Sequence, residues 1–105
     1  MDFKLKGKKA LVTGGSHGIG LSISKLLIEE GCSVAICSRT QTRINEALGE
    51  LKSPNVESFG MLCDVAKKED IERVVSDVNN KWGGVDILIN NAGGGGRWGS
   101  EDVLK

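Results

Sequence analysis

Short apolar runs alternate with longer amphipathic segments along the chain. The runs have the length of β-strands and are bounded by glycine, proline or polar residues. They predict strands at 8–12, 33–37, about 56–63 and 85–89, the third of them interrupted by Gly60. The run at 85–89 is apolar almost without a break, as expected of a strand that is covered on both faces of a parallel sheet.

Between these runs, apolar residues recur at intervals of three and four, which predicts helices with one buried face. Gly31, Pro54 and the pair Gly83-Gly84 end the three helical segments. A regular alternation of strand and helix predicts right-handed crossovers and a single parallel sheet. The expected buried stripes are Ile19, Ile23, Leu26 and Leu27 in the first helix, Ile44, Ala47, Leu48 and Leu51 in the second, and Ile71, Val74, Val75 and Val78 in the third.

A glycine-rich turn joins the first predicted strand to the first helix, with the sequence Thr13-Gly14-Gly15-Ser16-His17-Gly18-Ile19-Gly20. Unpaired N–H groups and the helix dipole make such a helix start favourable for a phosphate, and glycine lets the anion approach the backbone. The spacing is G-x-x-x-G-x-G rather than G-x-G-x-x-G, and no Lys-Ser/Thr pair follows, as a P-loop would require. The turn therefore predicts a pyrophosphate site that needs no lysine.

Two further motifs occur in order after later strands, Asp64-Val65 and Asn90-Asn91-Ala92-Gly93. With the glycine turn, they resemble the cofactor-binding half of the short-chain dehydrogenase/reductase family. The resemblance covers nearly the whole chain. It implies an α/β fold with a Rossmann-type, doubly wound parallel sheet, truncated after the fourth strand and with strand order 3-2-1-4.

The resemblance also implies which residues hold a dinucleotide. The carboxylate of Asp64 would accept a hydrogen bond from the adenine amino group, and the Val65 backbone would meet the ring edge. A structural alternative is that Asp64 caps the next helix, and both roles are compatible. Asn90 is expected to tie strand ends together, and Asp86 to be structural. The implied cofactor-binding set is Gly14, Ser16, His17, Gly18, Ile19, Gly20, Ser38, Arg39, Asp64, Val65, Asn91, Ala92 and Gly93.

The end of the second strand bears on the choice of cofactor. An Asp or Glu there binds both ribose hydroxyls of NAD, whereas this chain has Ser38-Arg39-Thr40. A guanidinium can pair with a 2′-phosphate, and the Ser38 hydroxyl can donate to it. The implied cofactor is NADP rather than NAD. His17 gives weaker support, since it could contact the phosphate or could equally be a surface residue at the helix start.

The chain contains no tyrosine, whereas the family carries a Tyr-x-x-x-Lys pair and a serine on the strand before it. We therefore expect no catalytic residue within these 105 residues, and the chain resembles the first half of an enzyme. The parent activity implied is NADP-dependent reduction of a small-molecule carbonyl, or oxidation of the alcohol, by a homo-oligomer. The alternatives are a catalytically silent NADP-binding or regulatory module, and a truncated product without a stable function.

Composition narrows the possible partners. The chain has 14 basic and 14 acidic residues, so its neutral charge favours neither nucleic acid nor an anionic membrane. Three cysteines without a C-x-x-C pair indicate reduced, buried thiols in a cytoplasmic protein, and no metal site is expected. No membrane-spanning or leader segment is recognisable.

At 105 residues the chain predicts one domain, 1–105. Its fourth strand would form an edge of the sheet, so we expect marginal stability and self-association. A literal G-x-G-x-x-G from Gly94 to Gly99 also follows a strand, but we interpret it as a loop because the first turn already supplies the pyrophosphate position. Arg97 and Trp98 within it could touch substrate or simply pack on a neighbour.

Overall fold

The computed structural model describes residues 5–14, 16 and 18–91. Strands and helices alternate in it as the sequence predicts. The third strand is shorter than expected, and the fourth begins two residues later and ends one residue later. The elements are β1 (Lys9–Thr13), α1 (Gly18–Glu29), β2 (Ser33–Ser38), α2 (Gln41–Leu51), β3 (Ser58–Leu62), α3 (Lys68–Trp82) and β4 (Ile87–Asn90).

The four strands form one parallel sheet in the order β3-β2-β1-β4. Ala10 in β1 lies opposite Val34 of β2 on one side and Ile87 of β4 on the other. The predicted fold class and strand order are therefore confirmed. Strands β2 and β3 lie on one side of β1, and β4 lies on its other side. This change of side between β1 and β4 is the topological switch point, where open α/β sheets bind ligands.

Helices cover both faces of the sheet. Alternate residues of β1 and β2, such as Val12 and Ile36, pack with Ile44 and Leu51 of α2 and with Leu27 of α1. The intervening residues belong to a second core against α3, made of Leu11, Ala35, Cys37, Cys63, Val74 and Val78. Because successive strand residues point to opposite faces, the two central strands are buried on both sides.

The predicted buried stripe of α1 is partly wrong. Ile19 and Leu26 are 70% and 61% exposed, whereas Leu27 is buried as predicted, and the other buried residues of the helix are Gly20 and Ser24. The small residues Gly20 and Ser24 let the helix lie close to the sheet, and the Ser24 hydroxyl donates a hydrogen bond to the Gly20 carbonyl at 2.8 Å. The stripes of α2 and α3 are confirmed, although Leu48, Ile71 and Val75 are only half-buried.

Gly60 lies within β3, opposite Ile36, rather than interrupting the strand. A Cβ at this position would overlap the Cγ2 methyl group of Ile44. The missing Cβ therefore lets Ile44 of α2 pack directly against β3. No helix among residues 5–14, 16 and 18–91 is long and apolar enough to cross a membrane.

A polar and aromatic cluster joins α3 to the amino end of β3. The Trp82 indole N–H donates to Glu57 Oε1 at 3.0 Å, and Lys81 Nζ lies 3.0 Å from Glu57 Oε2. The Phe59 and Trp82 rings meet edge to face at 4.9 Å. The hydrogen bond from Trp82 and the Lys81 ammonium hold the pKa of Glu57 below its ordinary value.

Candidate functional site

The parallel sheet brings the predicted motifs to one edge. The glycine turn follows β1, Ser38 ends β2, Asp64 lies just beyond β3, and Asn91 follows β4. All four strands run in the same direction, so their carboxyl ends share this edge. Residues far apart in sequence therefore surround one crevice at the topological switch point.

The glycine turn is anchored to the neighbouring strand. The Gly14 N–H donates to the Cys37 carbonyl at 3.0 Å and so continues the β1–β2 ladder by one bond. Gly14 and Gly18 have φ angles of 66° and 58°, in the left-handed region that residues with a Cβ rarely adopt. The first turn of α1 contains no acidic residue, so its positive end faces the crevice without a competing carboxylate.

Gly20 connects the turn, the helix and the last motif. A Cβ built there would overlap the Gly14 carbonyl oxygen and lie 2.8 Å from the Asn91 side-chain amide nitrogen. Only a glycine allows these three segments to approach so closely. The contact assembles the start of α1 against the end of β4.

Thr13 fixes the carboxyl ends of β1 and β4. Its hydroxyl oxygen lies 3.2 Å from Asn90 Oδ1 and 3.3 Å from the Ile89 carbonyl, and it accepts the Asn91 N–H at 2.9 Å. The expected role of Asn90 as a tie between strand ends is confirmed. Asp86 is likewise structural, since its carboxylate accepts the Lys9 N–H at 2.9 Å at the opposite end of the same strand pair.

The end of β2 presents the residues that bear on cofactor choice. The Ser38 hydroxyl accepts the Thr40 N–H at 3.3 Å, which turns the chain into α2. Arg39 is exposed beside this turn and forms no ion pair within the described ranges. The arrangement leaves a cation available next to the crevice.

Asp64 shapes the loop after β3 but does not cap α3, so the capping alternative is wrong. Its Oδ1 accepts the Ala66 N–H at 3.0 Å in a local turn, whereas the residue before α3 is Lys67, which makes no side-chain cap. The Asp64 N–H donates to Asp70 Oδ2 at 2.9 Å. The physical reason is distance along the chain, because three residues separate Asp64 from the first residue of α3.

Two residues of α3 support this loop, a role that was not predicted from the sequence. Asp70 braces the Asp64 backbone, and the Arg73 guanidinium donates to the Leu62 carbonyl at 2.7 Å while it lies 3.6 Å from Asp70 Oδ1. Their spacing of three residues on α3 was the available signal, since it places both on one helix face. Thr13 was recognised as part of the motif, but its hydroxyl contacts were not predicted.

The structure brings together at one edge those predicted site residues that it describes, namely Gly14, Ser16, Gly18, Ile19, Gly20, Ser38, Arg39, Asp64, Val65 and Asn91. His17, Ala92 and Gly93 lie outside the described residues, as do Gly15 and the second glycine motif with Arg97 and Trp98. Within the described part of the chain, no group of three or more His, Cys, Asp or Glu residues is placed to hold a metal ion.

Named proteins with similar sequences are reductases and dehydrogenases. The chain is 41% identical over 88 residues to dehydrogenase/reductase SDR family member 4 of Oryctolagus cuniculus. The matched region covers 84% of this chain and 34% of that protein. It is 41% identical over 87 residues to the 3-oxoacyl-[acyl-carrier-protein] reductase FabG of Staphylococcus epidermidis, covering 82% of this chain and 36% of the relative. The chain therefore spans about a third of the length of these curated relatives.

A solved structure has the same fold. The L-sorbose reductase of Gluconobacter frateurii, complexed with NADPH and L-sorbose, superposes with a TM-score of 0.85 and 38% identity. The match covers 97% of this chain and 39% of that one. A family model described as short chain dehydrogenase matches residues 8–104. Because this match extends over nearly the whole sequence, the chain belongs to the short chain dehydrogenase family.

Proposed function

We propose that this chain forms the dinucleotide-binding portion of an NADP-dependent oxidoreductase that interconverts a small-molecule carbonyl compound and its alcohol. The observation that carries the proposal is the contact at Gly20, where a missing Cβ lets the glycine turn, the start of α1 and Asn91 converge. Such a cradle accommodates a pyrophosphate close to the backbone. When bound, NADPH would supply the hydride of the reaction.

The residues present fit a dinucleotide. Gly14, Gly18 and Gly20 would hold the pyrophosphate, while Asp64 and Val65 would contact adenine and Asn91 would line the adenosine ribose. Backbone hydrogen bonds hold the glycine turn and the end of β3, as in the bond from the Gly14 N–H to the Cys37 carbonyl and that from the Cys63 N–H to the Ser38 carbonyl. Ser16, Ile19 and, beyond the described residues, His17, Ala92 and Gly93 complete the proposed site.

Arg39 and Ser38 support NADP over NAD. The end of β2 carries a hydroxyl and an exposed guanidinium in place of a carboxylate, and a 2′-phosphate would pair with the guanidinium. The L-sorbose reductase with the same fold is an NADPH complex, which agrees with this choice.

Calorimetric titration of the chain with NADPH and with NADH tests the proposal. Arg39→Ala should weaken NADPH binding by about 1.5–3 kcal/mol, the worth of a hydrogen bond to a charged group, and leave NADH binding nearly unchanged. Lys52→Ala is the matched control, because it removes a positive charge at the far end of α2. Equal losses for both cofactors with Arg39→Ala, or a comparable loss with Lys52→Ala, would contradict the assignment.

The wider expectations stay predictions. We place the protein in the cytoplasm because all three cysteines are unpaired thiols. Homo-oligomerisation, and the absence of nucleic acid and membrane partners, follow from the family resemblance and from the neutral charge.

A further inference from the structure

Two charged residues of α3 hold the segment that leads from β3 to α3. The Arg73 guanidinium donates to the Leu62 carbonyl at 2.7 Å, and Asp70 Oδ2 accepts the Asp64 N–H at 2.9 Å. The Arg73 Nη2 atom also lies 3.6 Å from Asp70 Oδ1, so the two side chains face each other. The end of β3 is therefore tied at a carbonyl and at an N–H group to the first turns of one helix.

The contact of Asp70 differs from that of an ordinary helix cap. In a capping box, the third residue of a helix accepts the backbone N–H of the cap residue. Asp70 is the third residue of α3, but the N–H of the cap residue, Lys67, donates instead to the Asp64 carbonyl at 2.8 Å. The Asp70 carboxylate reaches six residues back along the chain. It therefore serves the loop rather than the cap.

Further contacts anchor the same segment around these two bonds. The Cys63 N–H donates to the Ser38 carbonyl at 2.8 Å, and the Ala66 N–H donates to Asp64 Oδ1 at 3.0 Å. Val65 packs against the core between the sheet and α3. The backbone of the segment is thus fixed from the side of β2, from the core and from α3.

One oxygen of the Asp64 carboxylate stays available. Oδ1 is engaged by the Ala66 N–H, whereas Oδ2 accepts no hydrogen bond from residues 5–14, 16 and 18–91. Because the Asp64 N–H and Oδ1 are both held, the direction of Oδ2 is held as well. An ionised carboxylate accepts hydrogen bonds only, so it favours a base that presents an amino group over one that presents a carbonyl oxygen.

We propose that Asp70 and Arg73 are positioning residues through which the chain selects the adenine base of its dinucleotide, an inference that rests on the proposed function. Asp70 fixes the Asp64 N–H, while Arg73 fixes the Leu62 carbonyl and orients the Asp70 carboxylate. Loss of either side chain lets the Asp64 carboxylate turn away from the base. The glycine turn is held by a separate bond, from the Gly14 N–H, and keeps its geometry.

Calorimetric titration of the full 105-residue chain with NADPH and with reduced nicotinamide hypoxanthine dinucleotide phosphate tests the proposal. The hypoxanthine base carries an oxygen in place of the adenine amino group, so it cannot donate there to Asp64. The wild-type chain should prefer NADPH about tenfold, the worth of one hydrogen bond to a charged group. In Asp70→Ala and in Arg73→Ala the preference should fall to about twofold, because only the affinity for NADPH depends on that bond.

Glu69→Ala is the matched control. Glu69 is an exposed acidic residue of the same helical turn, and it makes no hydrogen bond or ion pair within the described part of the chain. Its removal takes the same charge from the start of α3 and should leave the preference for NADPH at the wild-type value. Asp70→Asn keeps an acceptor for the Asp64 N–H and should retain most of the preference, which separates the hydrogen bond from the charge.

Amide hydrogen exchange of the chain without dinucleotide gives a second readout. The Asp64 N–H should be protected in the wild type and in Glu69→Ala, and should lose its protection in Asp70→Ala. An Asp64 N–H that stays protected in Asp70→Ala would overturn the proposal.

The titrations can also contradict it. Equal weakening of both dinucleotides in Asp70→Ala, an unchanged preference, or the same fall in Glu69→Ala would overturn the positioning role. A wild-type chain that binds NADPH and the hypoxanthine analogue equally would overturn base selection, while NADP binding itself would stand. If the wild-type chain binds neither, the proposed function fails and base selection fails with it, and amide exchange still decides whether Asp70 holds Asp64.

Discussion

Gly20 is the position where one added methyl group should disturb fold and site together. In Gly20→Ala the new Cβ would overlap the Gly14 carbonyl oxygen and lie 2.8 Å from the Asn91 amide nitrogen. The Gly14 oxygen belongs to the backbone, and the Gly14 N–H is itself bonded to Cys37, so the turn cannot rotate away without losing that bond. The start of α1 must move away from the sheet instead.

The expected magnitude follows from two opposing effects. Overpacking of a well-packed region costs about 1–3 kcal/mol, and a clash with backbone lies towards the upper end of that range. Alanine is better than glycine in a helix by at most about 1 kcal/mol. The net loss in the free energy of unfolding should be about 2 kcal/mol, or roughly 10 °C in Tm for a chain of this size. NADPH binding should weaken as well, because Gly14 and Asn91 are displaced.

Gly49→Ala provides the control within the same chain. Gly49 lies in α2, and a Cβ there meets no atom within 4 Å. The substitution should therefore stabilise the chain by about 0.5–1 kcal/mol and leave NADPH binding unchanged. Thermal and urea unfolding of both variants measure the contrast. If Gly20→Ala proves as stable as the wild type, the close packing of α1 against the glycine turn is not required, and the argument for the cradle fails.

Three further predictions concern the cluster around Glu57, the edge strand and activity. The pKa of Glu57 is lowered in the folded state, so in acid the unfolded state binds more protons than the folded state does. The stability that this carboxylate contributes is therefore present above about pH 4.3 and is lost as the pH falls through the folded-state pKa. In Glu57→Gln the free energy of unfolding should depend less on pH below about 4.3 than in the wild type, and an equal dependence in both proteins would refute this. Strand β4 is the outermost strand next to β1 in the described sheet, so the isolated 105-residue chain should self-associate with rising concentration in sedimentation velocity, whereas a compact monomer at high concentration with cooperative unfolding would contradict the prediction. The chain contains no tyrosine, so a panel of ketones with NADPH should give no turnover, and activity that is lost on substituting a residue of this chain would reveal an unrecognised acid.

Local pattern was sufficient to predict which elements form and in which order. The three-and-four spacing in α2 and α3 reflects burial that repeats with the period of a helix. The apolar run 85–89 correctly predicted a strand, but β4 is only half-buried and not covered on both faces as expected. The glycine spacing likewise indicated a phosphate-binding turn, because left-handed backbone angles and close approach are requirements of the local chain. The family resemblance supplied the strand order and the set of residues at the sheet edge.

Interactions between distant segments needed the folded chain. The buried face of α1 runs through Gly20 and Ser24 rather than Ile19 and Leu26 because the helix approaches the sheet so closely that only small residues fit. The role of Asp64 in a turn before α3, rather than as its cap, depends on where that helix begins.

The sequence by itself therefore determined the alternating elements and the location of the glycine turn, since each depends on residues that are neighbours along the chain. Only the tertiary structure decided that Gly20 meets Asn91 and that Thr13 joins Asn90 and Asn91. The physical reason is that these contacts join residues of different secondary-structure elements, far apart along the chain. Their distances are fixed by strand order, register and the closeness of packing, none of which a local pattern of apolar and polar residues specifies.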